Sequence, residues 1–137
     1  MQINPYLNFN GQCEEAFHFY ERCLGGKIDF MMTYEASPMA SRAPPDWGKK
    51  IIHSTLRIGD QLIQGADSPG PQYQKPQGFS VAITLEAAKD AERIFAELAA
   101  GGSVQVPLAE TFWAARFGIL VDRFGTPWII NCDGQRK

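Results

Sequence analysis

The chain has 137 residues and a mass of 15.2 kDa, which is the size of a single ordinary domain. Apolar residues make up 45% and charged residues 20%, so the chain can bury a core and is not globally disordered. Lys plus Arg number 13 against 15 Asp plus Glu, giving a net charge of -2. This balance lacks the basic excess typical of nucleic-acid binding.

Neither a targeting signal nor a membrane span is expected. No apolar run approaches the roughly 18 residues that cross a bilayer, and the first residues, MQINPYLNF, lack a basic region followed by a long apolar stretch. The cysteines, Cys13, Cys23 and Cys132, include no CxxC pair, which favours a reducing compartment over a disulfide framework. We therefore expect a cytoplasmic protein with neither a membrane nor a nucleic acid as partner.

The first half of the chain begins with a predicted strand over residues 3–9. The segment CEEAFHFYERCL then has apolar residues at helical spacing, and the following Gly25-Gly26 predicts where the helix ends. That stripe consists of Cys13, Ala16, Phe17, Tyr20 and Leu24. Residues 27–35 are predicted to form a strand, the proline-rich segment 36–50 an irregular loop, and residues 51–67 two strands that turn at Gly59-Asp60.

The second half repeats this order. Residues 79–85 are predicted to form a strand and residues 89–100 a helix, whose stripe Ala91, Ile94, Phe95 and Leu98 has the spacing of residues 13, 16, 17 and 20. A loop is expected around Pro107. Residues 112–121 and 127–132 follow as strands joined by a turn at 122–125.

The pattern is therefore βαβββ twice, in modules at 1–67 and 79–133 joined by the turn-rich linker 68–78. Each module offers one helix, which covers only one face of its sheet. We predict a single α+β domain over residues 1–137, in which two βαβββ modules form a cupped, largely antiparallel mixed sheet. The uncovered faces would line a cavity where function resides.

Three segments of the sequence resemble the vicinal oxygen chelate superfamily, which includes glyoxalase I, bleomycin-resistance proteins and extradiol dioxygenases, and within it the PhnB-like subgroup. They are PYLNFNGQCEEAFHFYERCLGG, IIHSTLRIGDQLIQGAD and ETFWAARFGILVDRFGTPWIINC. The third is the most specific, with Trp113, Arg116, Phe117, Gly118, Asp122, Phe124, Gly125 and Trp128. The resemblance implies a glyoxalase-like fold. It also implies a divalent metal held by His, Glu or Gln from the first and last strands of each half.

The positions that correspond to this metal site do not carry metal ligands here. They are Pro5, Ile63, Ser80 and Ile129. A shift by one residue brings in only Gln64 as a credible donor, whereas metal sites need several donors. We therefore expect no metal and no other cofactor. A site built from His53 with Asp67 or Asp122 remains an alternative.

Strand alternation selects candidate residues for a ligand site. His53, Thr55 and Arg57 share one face of their strand, and we expect that face to line the cup. Arg116 is expected to project into the cup as well. The candidate ligand-binding residues are Tyr6, His53, Arg57, Trp113, Arg116 and Trp128. Together they would suit a small aromatic or anionic molecule.

Structural roles compete with these assignments. Arg116 could instead form an ion pair with Asp122 or Glu110, and Trp113 and Trp128 could belong to the core, because large aromatic side chains dominate the cores of small domains. Truncating a core Trp113 would then cost about 3 to 5 kcal/mol.

Three functions stay open at this point. The first is a metal-free small-molecule binding protein like the bleomycin-resistance branch, and the second is a metal-dependent lyase or dioxygenase of the glyoxalase type. The third is a protein that acts through dimerisation without a small molecule. Proteins of this superfamily commonly dimerise, so we expect a homodimer. No catalytic residue is assigned.

Overall fold

A computed structural model describes residues 1–133 of the chain. The fold consists of two compact units, Met1–Gln74 and a second that begins at Lys75. We call them unit 1 and unit 2. The boundary lies inside the segment predicted to be the linker. No helix within the described range is long and apolar enough to cross a membrane.

Unit 1 contains one helix and one four-stranded mixed sheet. Its elements are β1 (Tyr6–Phe9), α1 (Cys13–Leu24), β2 (Lys27–Thr33), β3 (Ile51–Ile58) and β4 (Gln61–Asp67), with a short 3-10 turn at Ala40–Arg42. The strand order is β1-β4-β3-β2, in which β1 runs parallel to β4 and the other pairs are antiparallel.

Unit 2 has the same organisation. Its elements are β5 (Val81–Leu85), α2 (Ala88–Ala99), β6 (Ser103–Ala109), β7 (Arg116–Val121) and β8 (Pro127–Cys132). The strand order β5-β8-β7-β6, with β5 parallel to β8, matches the order in unit 1. The predicted α+β class and the two βαβββ modules are confirmed.

Each helix packs on its own sheet through the predicted apolar stripe. The buried residues of the two stripes are Cys13, Ala16, Phe17 and Tyr20 in α1, and Ala91, Ile94, Phe95 and Leu98 in α2. Close packing on the sheet requires small residues beneath the helices. A Cβ added at Gly118 of β7, for instance, would lie 2.7 Å from the ring of Phe95. The equal spacing of the stripes therefore reflects equal packing in the two units.

Two predicted strand features of unit 2 are wrong. The strand expected over 112–121 begins only at Arg116, after a turn in which Thr111 Oγ1 accepts hydrogen bonds from the N–H groups of Trp113 and Ala114. The loop expected around Pro107 is strand β6 instead. Proline is tolerated there because β6 is an edge strand with an irregular register.

The three cysteines are buried and carry free thiols. Cys13 lies at the start of α1 and Cys132 at the end of β8, each fully buried. They act as small apolar core residues.

Candidate functional site

The sheet of unit 1 has one face covered by α1 and one face that α1 leaves open. Paired residues of neighbouring strands share a face, so the register defines which side chains lie on this open face. They are Tyr6 and Asn8 of β1, Leu62, Gln64 and Ala66 of β4, His53, Thr55 and Arg57 of β3, and Lys27, Phe30 and Met32 of β2. We call this surface the open face of unit 1.

Tyr6 and His53 form the centre of the open face. The Tyr6 hydroxyl lies 3.1 Å from His53 Nδ1, and the two rings are stacked with centroids 5.7 Å apart. Strand β4 lies between β1 and β3, so the tyrosine side chain crosses one strand to reach the histidine. The structure thus joins two of the candidates selected from the sequence.

A third ring completes the cluster around His53. Phe30 of β2 lies 5.8 Å from the imidazole centroid and leaves 44% of its own surface exposed. Strand alternation in the sequence does not identify Phe30 as a candidate. A register shift between Ile28 and Phe30 adds one residue to β2, and only with this shift does Phe30 pair with Thr55 on the open face. His53 of β3 therefore lies between aromatic rings from β1 and from β2.

Arg57 lies on the open face as predicted, but a carboxylate already binds it. Its Nε is 2.6 Å from Asp29 Oδ2, at the bulge of β2. This charge-assisted bond occupies the guanidinium group that was expected to bind an anionic ligand. The pair is therefore neutral as a whole, and the open face carries less positive charge than the sequence suggests.

Burial changes the acidity of Tyr6. Desolvation raises the pKa of its hydroxyl, and the thiol of Cys13 and the hydroxyl of Tyr34 add smaller effects in the same direction. The hydroxyl therefore stays protonated well into the alkaline range, and Tyr6 is a neutral hydrogen-bonding group at physiological pH.

The expected position of Arg116 is wrong. Arg116, Gly118 and Leu120 share a face of β7, as predicted, but this face packs against α2: Leu120 is fully buried and Gly118 meets Phe95 of the helix. Arg116 Nε donates to Glu92 Oε2 of α2 at 3.1 Å. Alternation fixes which residues share a face, whereas the helix decides which face it covers. Arg116 therefore forms a structural ion pair.

The two candidate tryptophans of unit 2 have opposite environments. Trp128 pairs with Leu120 on the helix-covered face and is fully buried, so it belongs to the core and cannot stack on a ligand. Trp113, a candidate ligand-binding residue for which a core position is the competing assignment, is 48% exposed and makes edge contacts with Phe112 and Phe117. Neither residue belongs to the open face of unit 1.

Among the described residues, the open face of unit 1 carries few side chains of the types that bind metals. No three His, Cys, Asp or Glu side chains come together anywhere in residues 1–133. Of the side-chain types that the resemblance implies as metal ligands, the open face carries His53 and Gln64. His53 is hydrogen-bonded to Tyr6. One imidazole and one amide do not amount to the three or four donors that a zinc site needs.

The alternative pairing of His53 with an aspartate also fails. Asp67 is buried, and its two oxygens accept the backbone N–H groups of Cys13 and Ile51. Asp122 lies in unit 2 and accepts three hydrogen bonds in the β7–β8 turn. Each of the two carboxylates therefore accepts hydrogen bonds from groups of its own unit.

Two βαβββ units, each with one helix-covered and one open sheet face, define the class of glyoxalase-fold proteins. The comparisons agree with this class. Residues 2–130 match the Glyoxalase/Bleomycin resistance protein/Dioxygenase superfamily, and the chain belongs to this family.

Relatives cover nearly the whole chain. Protein YjdN of Escherichia coli (strain K12) is 32% identical over 146 residues, which span 99% of this chain and 98% of YjdN. The crystal structure of PA1353 from Pseudomonas aeruginosa is 44% identical with a TM-score of 0.87, covering 97% of this chain and 98% of that one. A PhnB protein from Bacillus cereus is 25% identical with a TM-score of 0.81, covering 96% and 99%. The resemblance to the PhnB-like subgroup is confirmed.

Proposed function

We propose that this protein is a metal-free small-molecule binding protein whose ligand lies on the open face of unit 1. The observation that carries the proposal is His53 placed between the rings of Tyr6 and Phe30. Aromatic rings on both sides of an imidazole favour a planar aromatic ligand, because the rings supply contact area and the imidazole fixes orientation.

The charges of the open face support an uncharged ligand over an anionic one. Arg57 is paired with Asp29 at 2.6 Å, and Arg116 is paired with Glu92 in unit 2. Binding an anion at Arg57 would require that ligand to compete with a carboxylate already in place. Of the two expected kinds of ligand, we therefore retain an aromatic molecule and not an anionic one.

A metal-dependent lyase or dioxygenase is the competing function. The donor set argues against it, because His53 has one hydrogen-bonding partner, Tyr6, and no carboxylate partner among the described residues. Elemental analysis of protein purified without chelator tests this directly. If a transition metal is bound one-to-one in the wild type and is lost in His53→Ala, the enzymatic function is favoured over the metal-free binding function.

Binding itself is tested by a thermal-shift screen of uncharged planar aromatic molecules in the presence of EDTA. A ligand at about 100 times its dissociation constant adds about 2.7 kcal/mol to the free energy of unfolding. We expect His53→Ala to abolish the stabilisation. His18→Ala is the matched control, because His18 lies on the exposed surface of α1 beside Glu14 and Glu21. Equal stabilisation of both variants, or none in the wild type, would refute the proposal.

We also infer that the protein forms a homodimer. Unit 2 exposes apolar side chains in two places, the turn before β7 and the edge strand β6. They are Phe112 (83% exposed), Trp113 (48%), Val104 (47%) and Val106 (40%). Exposed apolar surface of this kind is typical of association sites. Sedimentation equilibrium should give twice the chain mass, and Phe112→Ser should shift the equilibrium towards the monomer.

A further inference from the structure

The Tyr6–His53 contact leaves one question about the site: which atom donates the proton. The hydroxyl oxygen and Nδ1 are 3.1 Å apart, and either group can act as donor. The answer matters because a neutral imidazole carries one proton, and the nitrogen that lacks it is an acceptor. The bond at Nδ1 therefore decides what the other nitrogen, Nε2, offers to a ligand.

Three properties of the pair favour the tyrosine as donor. A phenol oxygen is a poor acceptor, because its lone pair is delocalised into the ring, whereas an unprotonated imidazole nitrogen is a strong one. Burial raises the pKa of the Tyr6 hydroxyl, so the proton needed for donation is retained. Nδ1 of His53 has only this hydroxyl as a partner within residues 1–133.

We propose that Tyr6 is a positioning residue that donates to Nδ1 of His53 and thereby holds the imidazole proton on Nε2, so that the open face presents an N–H donor to an uncharged oxygen acceptor of the ligand. This inference rests on the proposed function and specifies its ligand. The ligand is a planar aromatic molecule with a carbonyl-type oxygen in or beside the plane of its ring.

The surroundings of Nε2 fit this role. Nε2 has no hydrogen-bond partner among the described residues, and it is not one of their fully buried, unsatisfied polar atoms. A ligand oxygen can therefore complete its bonding. The charged side chains of the open face are remote or engaged: Arg57 binds Asp29, and Lys27 is at the opposite end of β2 from Met32, the residue that pairs with His53. The group that selects the acceptor is the neutral imidazole.

The tautomer is measured by ¹⁵N NMR of the imidazole nitrogens, at an alkaline pH above which their signals no longer change. The sequence contains only two histidines, His18 and His53, so each signal can be assigned by substitution. We expect His53 to carry its proton on Nε2 in the wild type. In Tyr6→Phe the share of His53 that carries its proton on Nε2 should fall, whereas the signals of His18 should not change.

Tyr73→Phe is the matched control, since it removes a hydroxyl elsewhere in unit 1. A merely structural role for Tyr6 would change stability without changing the tautomer. Protonation of His53 on Nδ1 in the wild type, or wild-type tautomer populations in Tyr6→Phe, would overturn the proposal.

The proposed hydrogen bond to a ligand oxygen is tested with 1-indanone, which has a carbonyl oxygen, and indane, which has the same rings without it. Titrations followed by the ring signals of His53 should show 1-indanone binding roughly three- to tenfold more tightly, the ordinary effect of one neutral hydrogen bond. This ratio should fall towards one in Tyr6→Phe. Equal affinities in the wild type would overturn the acceptor assignment. Failure of both probes to bind would count against the proposed function, and the tautomer measurement would stand separately.

Discussion

Trp128 and Asp122 are joined across the β7–β8 hairpin by a hydrogen bond of 2.9 Å from the indole Nε1 to the carboxylate Oδ2. Both residues are buried. The other oxygen of Asp122 accepts the backbone N–H groups of Phe124 and Thr126 at 2.8 and 3.0 Å. One carboxylate therefore shapes the turn and fixes the orientation of the largest side chain in the core of unit 2.

Asp122→Ala should lower the free energy of unfolding by about 3 kcal/mol or more, because each buried donor left without an acceptor costs about 1 to 3 kcal/mol. Asp122→Asn keeps one oxygen for the turn and should cost less. Urea denaturation measures both, with the exposed position Lys89→Ala as a control for substitution on the surface. A loss for Asp122→Ala as small as that of the control would contradict the role of the carboxylate.

The two tryptophans of unit 2 should respond very differently to truncation. Trp128→Ala removes a fully buried ring and should cost at least about 3 to 5 kcal/mol. Trp113→Ala removes a ring that is 48% exposed, so we expect a loss of about 1 kcal/mol, well below the value for a core residue. Thermal or urea unfolding at low protein concentration gives both numbers. Losses of equal size would show that Trp113 is packed more tightly than its exposure indicates.

Sequence periodicity predicts some parts of this fold much better than others. The helical stripes of α1 and α2 predict their buried faces, because both helices pack on a sheet through one side. The strand pattern around Arg116 predicts which residues share a face but not which face α2 covers. Gly118 beside an arginine suggests an open pocket, whereas the glycine in fact accommodates Phe95. Only the packing of the helix resolves that choice.

Arg116 and Glu92 should therefore contribute modestly to stability and not to binding. The pair joins β7 to α2 at 3.1 Å, with the arginine side chain 33% and the glutamate 54% exposed. Partly exposed ion pairs contribute about 0.2 to 1 kcal/mol, less at high salt. A double-mutant cycle with Arg116→Gln and Glu92→Gln should give a coupling energy in this range. Loss of aromatic-ligand stabilisation in Arg116→Gln would contradict this assignment.

The open face of unit 1 is only partly predictable for a related reason. Alternation along β3 places His53 and Arg57 on one face, which the structure confirms. Phe30 and Asp29 escape prediction because their positions depend on the bulge in β2, and a bulge shifts the alternation by one residue. The composition of a strand does not specify its bulges. The contacts of Phe30 with His53 and of Asp29 with Arg57 were therefore visible only in the three-dimensional structure.

Cys13 couples the stability of unit 1 to alkaline pH. Its side chain is fully buried at the start of α1, with the sulfur 3.4 Å from the hydroxyl of Ser54. Burial raises the pKa of the thiol to about 12, opposed by the Ser54 hydrogen bond and assisted by the charges of Asp67 and Glu14. The unfolded chain exposes the same thiol to water, where its pKa is about 8.5. The folded state therefore holds this proton to higher pH than the unfolded state does.

Because the folded pKa is the higher one, the contribution of Cys13 is fully present only below the unfolded pKa of about 8.5 and is lost as the pH rises towards about 12. Within that window the free energy of unfolding should fall by up to about 1.4 kcal/mol per pH unit for this thiol. Urea denaturation of the wild type and Cys13→Ala across this pH range gives the slope of the free energy of unfolding against pH for each protein. Groups that titrate equally in both proteins cancel in the difference between the two slopes. Tyr6 and Tyr34, whose hydroxyl pKa values burial also raises, should leave a residual slope in Cys13→Ala. Parallel curves for the two proteins would show that the thiol ionises in the folded state as readily as in the unfolded chain.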